Sequence, residues 1–149
     1  MIYAKSYKKP FDETVVRAID SIFDELYSNN NSTMKEYLSP QQYVLEHKTA
    51  MLKVPRQTGK TEYLKKLHSV LDHESLFVVR SEQMKNDQRY RTLKDVITMN
   101  QLVKNIIFDT NYQTRSVFLF DECEFIDIKR FLTLHNKLQY STVVLALAT

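Results

Sequence analysis

Two short stretches hold residue types that can handle a phosphate chain. The first, Val54-Pro55-Arg56-Gln57-Thr58-Gly59-Lys60-Thr61, contains the only glycine among 149 residues. Soluble domains average about 7% glycine, so a lone Gly directly before Lys-Thr is a specific placement. Without a Cβ, backbone N–H groups can close around a phosphate. Lys60 is then set to reach the outer phosphates and the Thr61 hydroxyl to ligate Mg²⁺. The second stretch, about sixty residues on, is Val117-Phe118-Leu119-Phe120 followed by Asp121-Glu122. An apolar strand there would deliver two carboxylates beside a bound nucleotide. Asp121 would hold Mg²⁺ through its water shell, and Glu122 would orient and deprotonate an attacking water. Val54 stands where such a loop usually has its first glycine; the second stretch, in order and in register, supports the reading.

These residues need elements to position them. Apolar residues at helical spacing from Phe11 to Tyr27 (Val15, Ile19, Ile22, Phe23, Leu26) predict an amphipathic helix, ended by Asn29-Asn30-Asn31-Ser32. Thr33 to about His47 reads as helical, with Pro40 marking a break or a fresh start. Thr49–Val54 is the first expected strand, and Lys60 to about Leu71 a helix whose N-terminus faces the phosphates. Leu76–Val79 is a second strand. Ser81–Tyr90 reads as polar helix or loop, and Val96–Thr98 as a short strand leading into a helix through Ile107. Val117–Phe120 is a third clear strand, Ile128–Leu138 a helix and Thr142–Leu147 a final strand. Such alternation implies an α/β fold with a mostly parallel sheet covered on both faces. Ligands of such sheets sit at the carboxyl ends of the strands. That edge is expected to collect Gly59-Lys60-Thr61, Arg80, Asp121-Glu122 and Ala148-Thr149.

The composition narrows the function classes. Length predicts one compact domain, with 1–48 as an N-terminal helical segment packed on a core of 49–149. The hydrophobic fraction of 43% and charged fraction of 26% are those of a soluble globular chain. No apolar run approaches the ~20 residues of a membrane span, so no membrane partner is expected. The single cysteine, Cys123, forms no internal disulfide and fits a reducing cytoplasm. It reads as a small buried filler. A net charge of +3 permits nucleic-acid contact without requiring it. Lys5, Lys8 and Lys9 read as a solvated start, and His47, His68, His73 and His135 show no metal spacing.

Four points of the chain resemble the ATPase domain of the large terminase subunits that package DNA in tailed phages. Pro55-Arg56-Gln57-Thr58-Gly59-Lys60-Thr61 looks like their variant phosphate loop, which lacks the first glycine and carries Arg-Gln. Phe120-Asp121-Glu122-Cys123-Glu124-Phe125-Ile126 is similar to their acidic motif. Leu145-Ala146-Leu147-Ala148-Thr149 resembles their coupling motif, and Leu38-Ser39-Pro40-Gln41-Gln42 their adenine-reading glutamine motif. The resemblance implies a three-layer P-loop NTPase fold of the RecA/ASCE type, stopping short of the last strands. It implies ATP and Mg²⁺, with Gln42 on adenine and Arg56, Gln57, Thr58, Gly59, Lys60, Thr61 and Asp121 holding nucleotide. Thr61 and Asp121 would hold Mg²⁺, Glu122 and Arg56 would be catalytic, and Ala148 and Thr149 would couple hydrolysis to movement. It further implies double-stranded DNA, further copies of the chain or phage portal proteins as partners, in a host cytoplasm.

Two other readings stay open. Asp121-Glu122-Cys123-Glu124 also resembles the acidic box of superfamily-two helicases, although Glu124 stands where many have His or Asp. Arg56-Gln57 and Phe125-Ile126 favour the terminase type. Neither the nuclease domain of packaging motors nor the second domain of helicases fits this length. A non-catalytic nucleotide-binding or docking module is therefore the other alternative.

Overall fold

Alternate residues of the strands face opposite ways, and here both sets are apolar. Phe77, Val79, Val117, Leu119, Val143, Leu145 and Leu147 belong to one buried cluster. Leu76, Val78, Phe118, Phe120, Val144 and Ala146 belong to another. A sheet built from such strands must be covered on both sides. The structure, a computed structural model, describes residues 13–29, 32–107 and 115–149. Phe11, the lysines at 5, 8 and 9, and Asn30-Asn31 lie outside the described residues.

Helices α1 (Glu13–Ser28), α2 (Ser32–Lys35) and α3 (Pro40–His47) precede strand β1 (Thr49–Lys53). Helix α4 (Lys60–Leu71), β2 (Ser75–Val79), α5 (Glu82–Lys85) and β3 (Val96–Thr98) follow. Then come α6 (Met99–Ile107), β4 (Val117–Asp121), α7 (Phe125–Leu134) and β5 (Val143–Ala148). All strand pairings are parallel, in the order β1-β5-β4-β2-β3. On one face Val16, Ile19 and Phe23 of α1 and Tyr63, Leu64 and Leu67 of α4 join the first cluster. On the other, Val44 of α3, Leu102 of α6 and Ile128, Phe131 and Leu132 of α7 join the second. The α/β architecture with a parallel sheet between helices is therefore as expected, with α1 on one face of the sheet and α3 on the other.

Local chemistry explains where elements begin and end. The helical stretch expected over 33–47 starts afresh at Pro40, as that proline implied: Ser39 caps α3 by accepting from the Gln42 N–H at 3.2 Å, with Pro40 at its first position. Helix α7 begins three residues before the expected Ile128. Glu124 is its extended N-cap residue and Asp127 lies in its first turn. It ends at Leu134, short of Leu138, where His135 turns to φ −79°, ψ 91°. Buried Lys48 donates from Nζ to the carbonyls of Leu26 at 2.6 Å and Asn29 at 2.8 Å, closing the end of α1.

Register sets the site. Lys53 is level with Ala148, and Asp121 with both Leu147 and Val79. The chain leaves β1 with the Val54 N–H on the Ala148 carbonyl at 2.7 Å, and leaves β4 with the Glu122 N–H on the Leu147 carbonyl at 2.9 Å. The loop before α4, the two carboxylates and the end of β5 therefore share one edge of the sheet.

Candidate functional site

Gly59 sits at the N-terminus of α4 with φ 89°, ψ 16°, a left-handed geometry that glycine adopts without penalty. The N-cap glycine offers no side-chain acceptor there, which leaves first-turn N–H groups for a ligand. Gln57 is also left-handed, at φ 60°, a conformation that costs a non-glycine residue about 1–2 kcal/mol. Thr58 braces the turn: its hydroxyl donates to the Pro55 carbonyl at 2.7 Å and is largely buried. The Thr58 side chain therefore shapes the loop from behind.

Asp121 is fully buried at the end of β4. Its Oδ2 accepts from the Thr61 hydroxyl at 3.0 Å and from the Tyr90 hydroxyl at 2.7 Å. Its Oδ1 has no hydrogen-bond partner and lies 3.7 Å from Lys60 Nζ. Burial, the largest influence, raises the Asp121 carboxyl above its ordinary value, while Tyr90, Lys60 and Thr61 pull it back in part. Burial also pushes the Tyr90 phenol up, reinforced by the Asp121 charge, so the phenol stays protonated and donates.

Glu122 follows with φ 59°, again left-handed. That turn carries its side chain off the strand to Lys60 Nζ, 2.5 Å from Oε1. Thr149 donates its hydroxyl to the same oxygen. Burial would raise the Glu122 carboxyl, but Lys60 and Thr149 outweigh it and hold it below the usual carboxylate range. Cys123 is buried with its thiol pushed up by burial, as a filler would be.

A cavity of about 590 Å³ opens over this group. Gln57, Gly59, Lys60, Thr61, Glu122 and Thr149 line it, together with Arg56, Arg80, Arg89 and Glu62. Four cationic side chains thus face two carboxylates, and the Glu62 carboxylate is itself paired with Lys65 at 3.3 Å. A concave surface of that balance attracts anions.

The donors for a metal are few. Among the described residues no group of three or more His, Cys, Asp or Glu side chains could hold a metal ion. Asp121 Oδ1 and the Thr61 hydroxyl oxygen are adjacent oxygen donors, and the orphaned Oδ1 is the kind of atom a cation satisfies. A hard cation that takes its other oxygens from phosphate and water fits this pair, as Mg²⁺ does.

Of the residues singled out by sequence, Arg56, Gln57, Gly59, Lys60, Thr61, Asp121, Glu122 and Thr149 are brought together. Ala148 contributes its backbone to the β1–β5 ladder. Gln42 is not brought to the cavity. It is exposed, and its amide donates to Glu46 at 3.4 Å. Its neighbour Gln41 bonds the His135 carbonyl at 3.0 Å, and the Tyr140 hydroxyl bonds the Leu38 carbonyl at 2.7 Å. His135 follows α7 and Tyr140 precedes β5, which places the start of α3 at the opposite, amino edge of the sheet. Arg89 and Tyr90 were missed: their stretch, Ser81–Tyr90, reads only as polar helix or loop. The one local signal was Asp87, which caps the turn Gln88–Tyr90 by accepting from the Arg89 N–H at 2.9 Å.

Compared with known families and with curated proteins, the chain matches no family model and no curated protein. Among the described residues no helix is long and apolar enough to cross a membrane.

Proposed function

We propose that the chain is a Mg²⁺-dependent P-loop ATPase module of the terminase type, serving DNA translocation in phage packaging. The observation that carries this reading is the convergence of Lys60, Thr61, Asp121, Glu122 and Thr149 beneath one cationic cavity, beside a left-handed Gly59. Strand order agrees: β5, which bears the coupling residue, lies between the loop strand β1 and the acid strand β4. Arg56-Gln57 ahead of Gly59 supports the terminase type over a helicase.

In this reading the N–H groups around Gly59 and the Lys60 ammonium hold the phosphates of ATP. Thr61 and Asp121 would hold Mg²⁺, which would supply neutralising charge to the phosphate chain. Glu122 takes the proton of a water as the water attacks the terminal phosphorus and the bond to the ADP oxygen breaks. Arg56 stabilises charge on the transferred group. Thr149, bonded to Glu122, reports the change to the end of β5. Double-stranded DNA, further copies of the chain and portal proteins are the proposed partners, in a host cytoplasm.

The test is Mg²⁺-dependent phosphate release from ATP by the purified chain, alone and with duplex DNA. Glu122→Gln should retain ATP and lose turnover by about 10²–10⁴-fold. Tight ATP binding with no turnover in either setting would leave the second reading, a non-catalytic docking module. That reading is favoured by one contact, the direct neutralisation of Lys60 by Glu122.

A further inference from the structure

The turn Gln88–Tyr90 enters the site from the β2–β3 connection, where no chemistry was expected. The Tyr90 ring is 2% exposed. It lies 5.8 Å from the Phe77 ring, with the Arg89 guanidinium 5.5 Å from its own centroid. Asp87 fixes the turn, its Oδ1 accepting from the Arg89 backbone N–H at 2.9 Å and from Nε at 3.2 Å. The Tyr90 hydroxyl is thereby set 2.7 Å from Asp121 Oδ2.

A carboxylate turns about its Cβ–Cγ bond unless its oxygens are claimed separately. Here both donors, Tyr90 and Thr61, take Oδ2, and Oδ1 takes neither. The Thr61 hydroxyl can give its hydrogen to Oδ2 while a lone pair ligates a cation, and the Tyr90 bond, at 2.7 Å against 3.0 Å, is the shorter hold on that oxygen. The phenol does not itself line the cavity; it reaches the site through Asp121 Oδ2 and the neighbouring Thr61 side chain.

We propose that Tyr90 is a positioning residue: by holding Asp121 Oδ2 it presents Oδ1 to the divalent cation that accompanies a bound phosphate chain. The inference rests on the reading of the site as a Mg²⁺-nucleotide site. Partners that orient ligating side chains are worth about 10- to 100-fold in metal affinity.

The experiment titrates Mg²⁺ into the full chain at a fixed concentration of a fluorescent ATP analogue, with thermal unfolding recorded for each protein. Tyr90→Phe keeps the ring and removes the donor. It should need about 10- to 100-fold more Mg²⁺ for half-saturation, while binding at saturating Mg²⁺ is retained. Asp87→Ala frees the turn without touching the buried ring, and should shift the Mg²⁺ midpoint in the same direction by less. A lowered melting temperature with the wild-type Mg²⁺ midpoint in Tyr90→Phe would make the residue merely structural and overturn the inference. Should Tyr90→Phe fail to fold, an unchanged midpoint in Asp87→Ala overturns it instead. A wild-type chain that takes up no nucleotide at any Mg²⁺ concentration removes the reading of the site, and this inference with it.

Discussion

Lys60 and Glu122 meet directly, with the ammonium nitrogen 2.5 Å from Oε1 and the Thr149 hydroxyl on the same oxygen. The group proposed to hold phosphate and the group proposed to activate water thus neutralise one another. A phosphate chain arriving at Lys60 competes with Glu122 for the ammonium, and the carboxylate gains freedom as it loses that partner. Binding and activation of the base are joined through one side chain.

Replacing Lys60 tests both roles. Lys60→Ala removes a charge-assisted phosphate contact, so nucleotide affinity should fall about 10- to 100-fold in an equilibrium binding assay. It also leaves Asp121, fully buried, and Glu122, about one quarter exposed, without their cation. A loss of about 1–3 kcal/mol in urea unfolding is expected, below the value for a wholly buried pair because Glu122 keeps some solvent.

Asp121 should show the opposite trade. Burial raises its carboxyl above the ordinary 3.8, so the fold favours the protonated form. That contribution is complete below the unfolded value and is lost as pH rises through the higher folded one. At neutral pH the wild type therefore carries the cost of a buried charge, and Asp121→Asn does not. The variant should melt no lower than wild type at pH 7.5 and about 2–4 °C higher if the relief is near 1 kcal/mol. The gap should close as pH falls toward the carboxylate range, and Mg²⁺ dependence of nucleotide binding should disappear. Glu122 runs the other way, its contribution being present above 4.5 and lost as pH falls through its lowered value. Because both proteins retain it, it drops out of the comparison to first order.

Gln42 provides a negative test. Its amide reaches Glu46 and its helix starts at the amino edge of the sheet. Gln42→Ala should leave the preference between ATP and GTP as it was, and change stability by no more than about 0.5 kcal/mol, as exposed substitutions usually do. Loss of the preference for ATP would restore the adenine-reading role that the motif suggests.

Lys48 is a structural prediction away from the site. Its ammonium is buried, lowered in pKa by burial and then by Lys35, and gives two hydrogen bonds to carbonyls at the end of α1. Lys48→Met would leave those acceptors unmet, at a cost of about 1–3 kcal/mol. In a chain of this size that is a fall of roughly 3–10 °C in melting temperature, with the Mg²⁺ midpoint unchanged.

The sheet was legible because its signals are local. Continuous apolar runs such as Leu76–Val79 and Val117–Phe120 have only one stable use in a chain that alternates with helices. The ends of those runs carried Asp121 and Glu122 to the right edge without further information. Gln57 at φ 60° and Glu122 at φ 59° are less visible, because neither residue type advertises a left-handed turn. Tyr90 was harder to see: Asp87 marks its turn locally, but its partner Asp121 is 31 positions away, and a local signal cannot name it. Gln42 failed for the converse reason, since a local resemblance cannot say which edge of the sheet a helix will start from. Helix α7 was misplaced although Asp127 in its first turn was available as a start signal.

Strand β5 pairs on one side with β1 and on the other with β4, so an interior strand of the sheet comes from a segment late in the described sequence. Thr49 pairs with Val144, about a hundred positions later. During synthesis β1 therefore has no strand to join until nearly the whole described chain has left the ribosome, and the open side of β4 waits equally long. Contacts of such long sequence separation fold slowly and leave strand edges bare in the interval. The same arrangement that sets Thr149 beside Glu122 makes assembly of the site wait on contacts of long sequence separation, with the edges of β1 and β4 bare until β5 joins them.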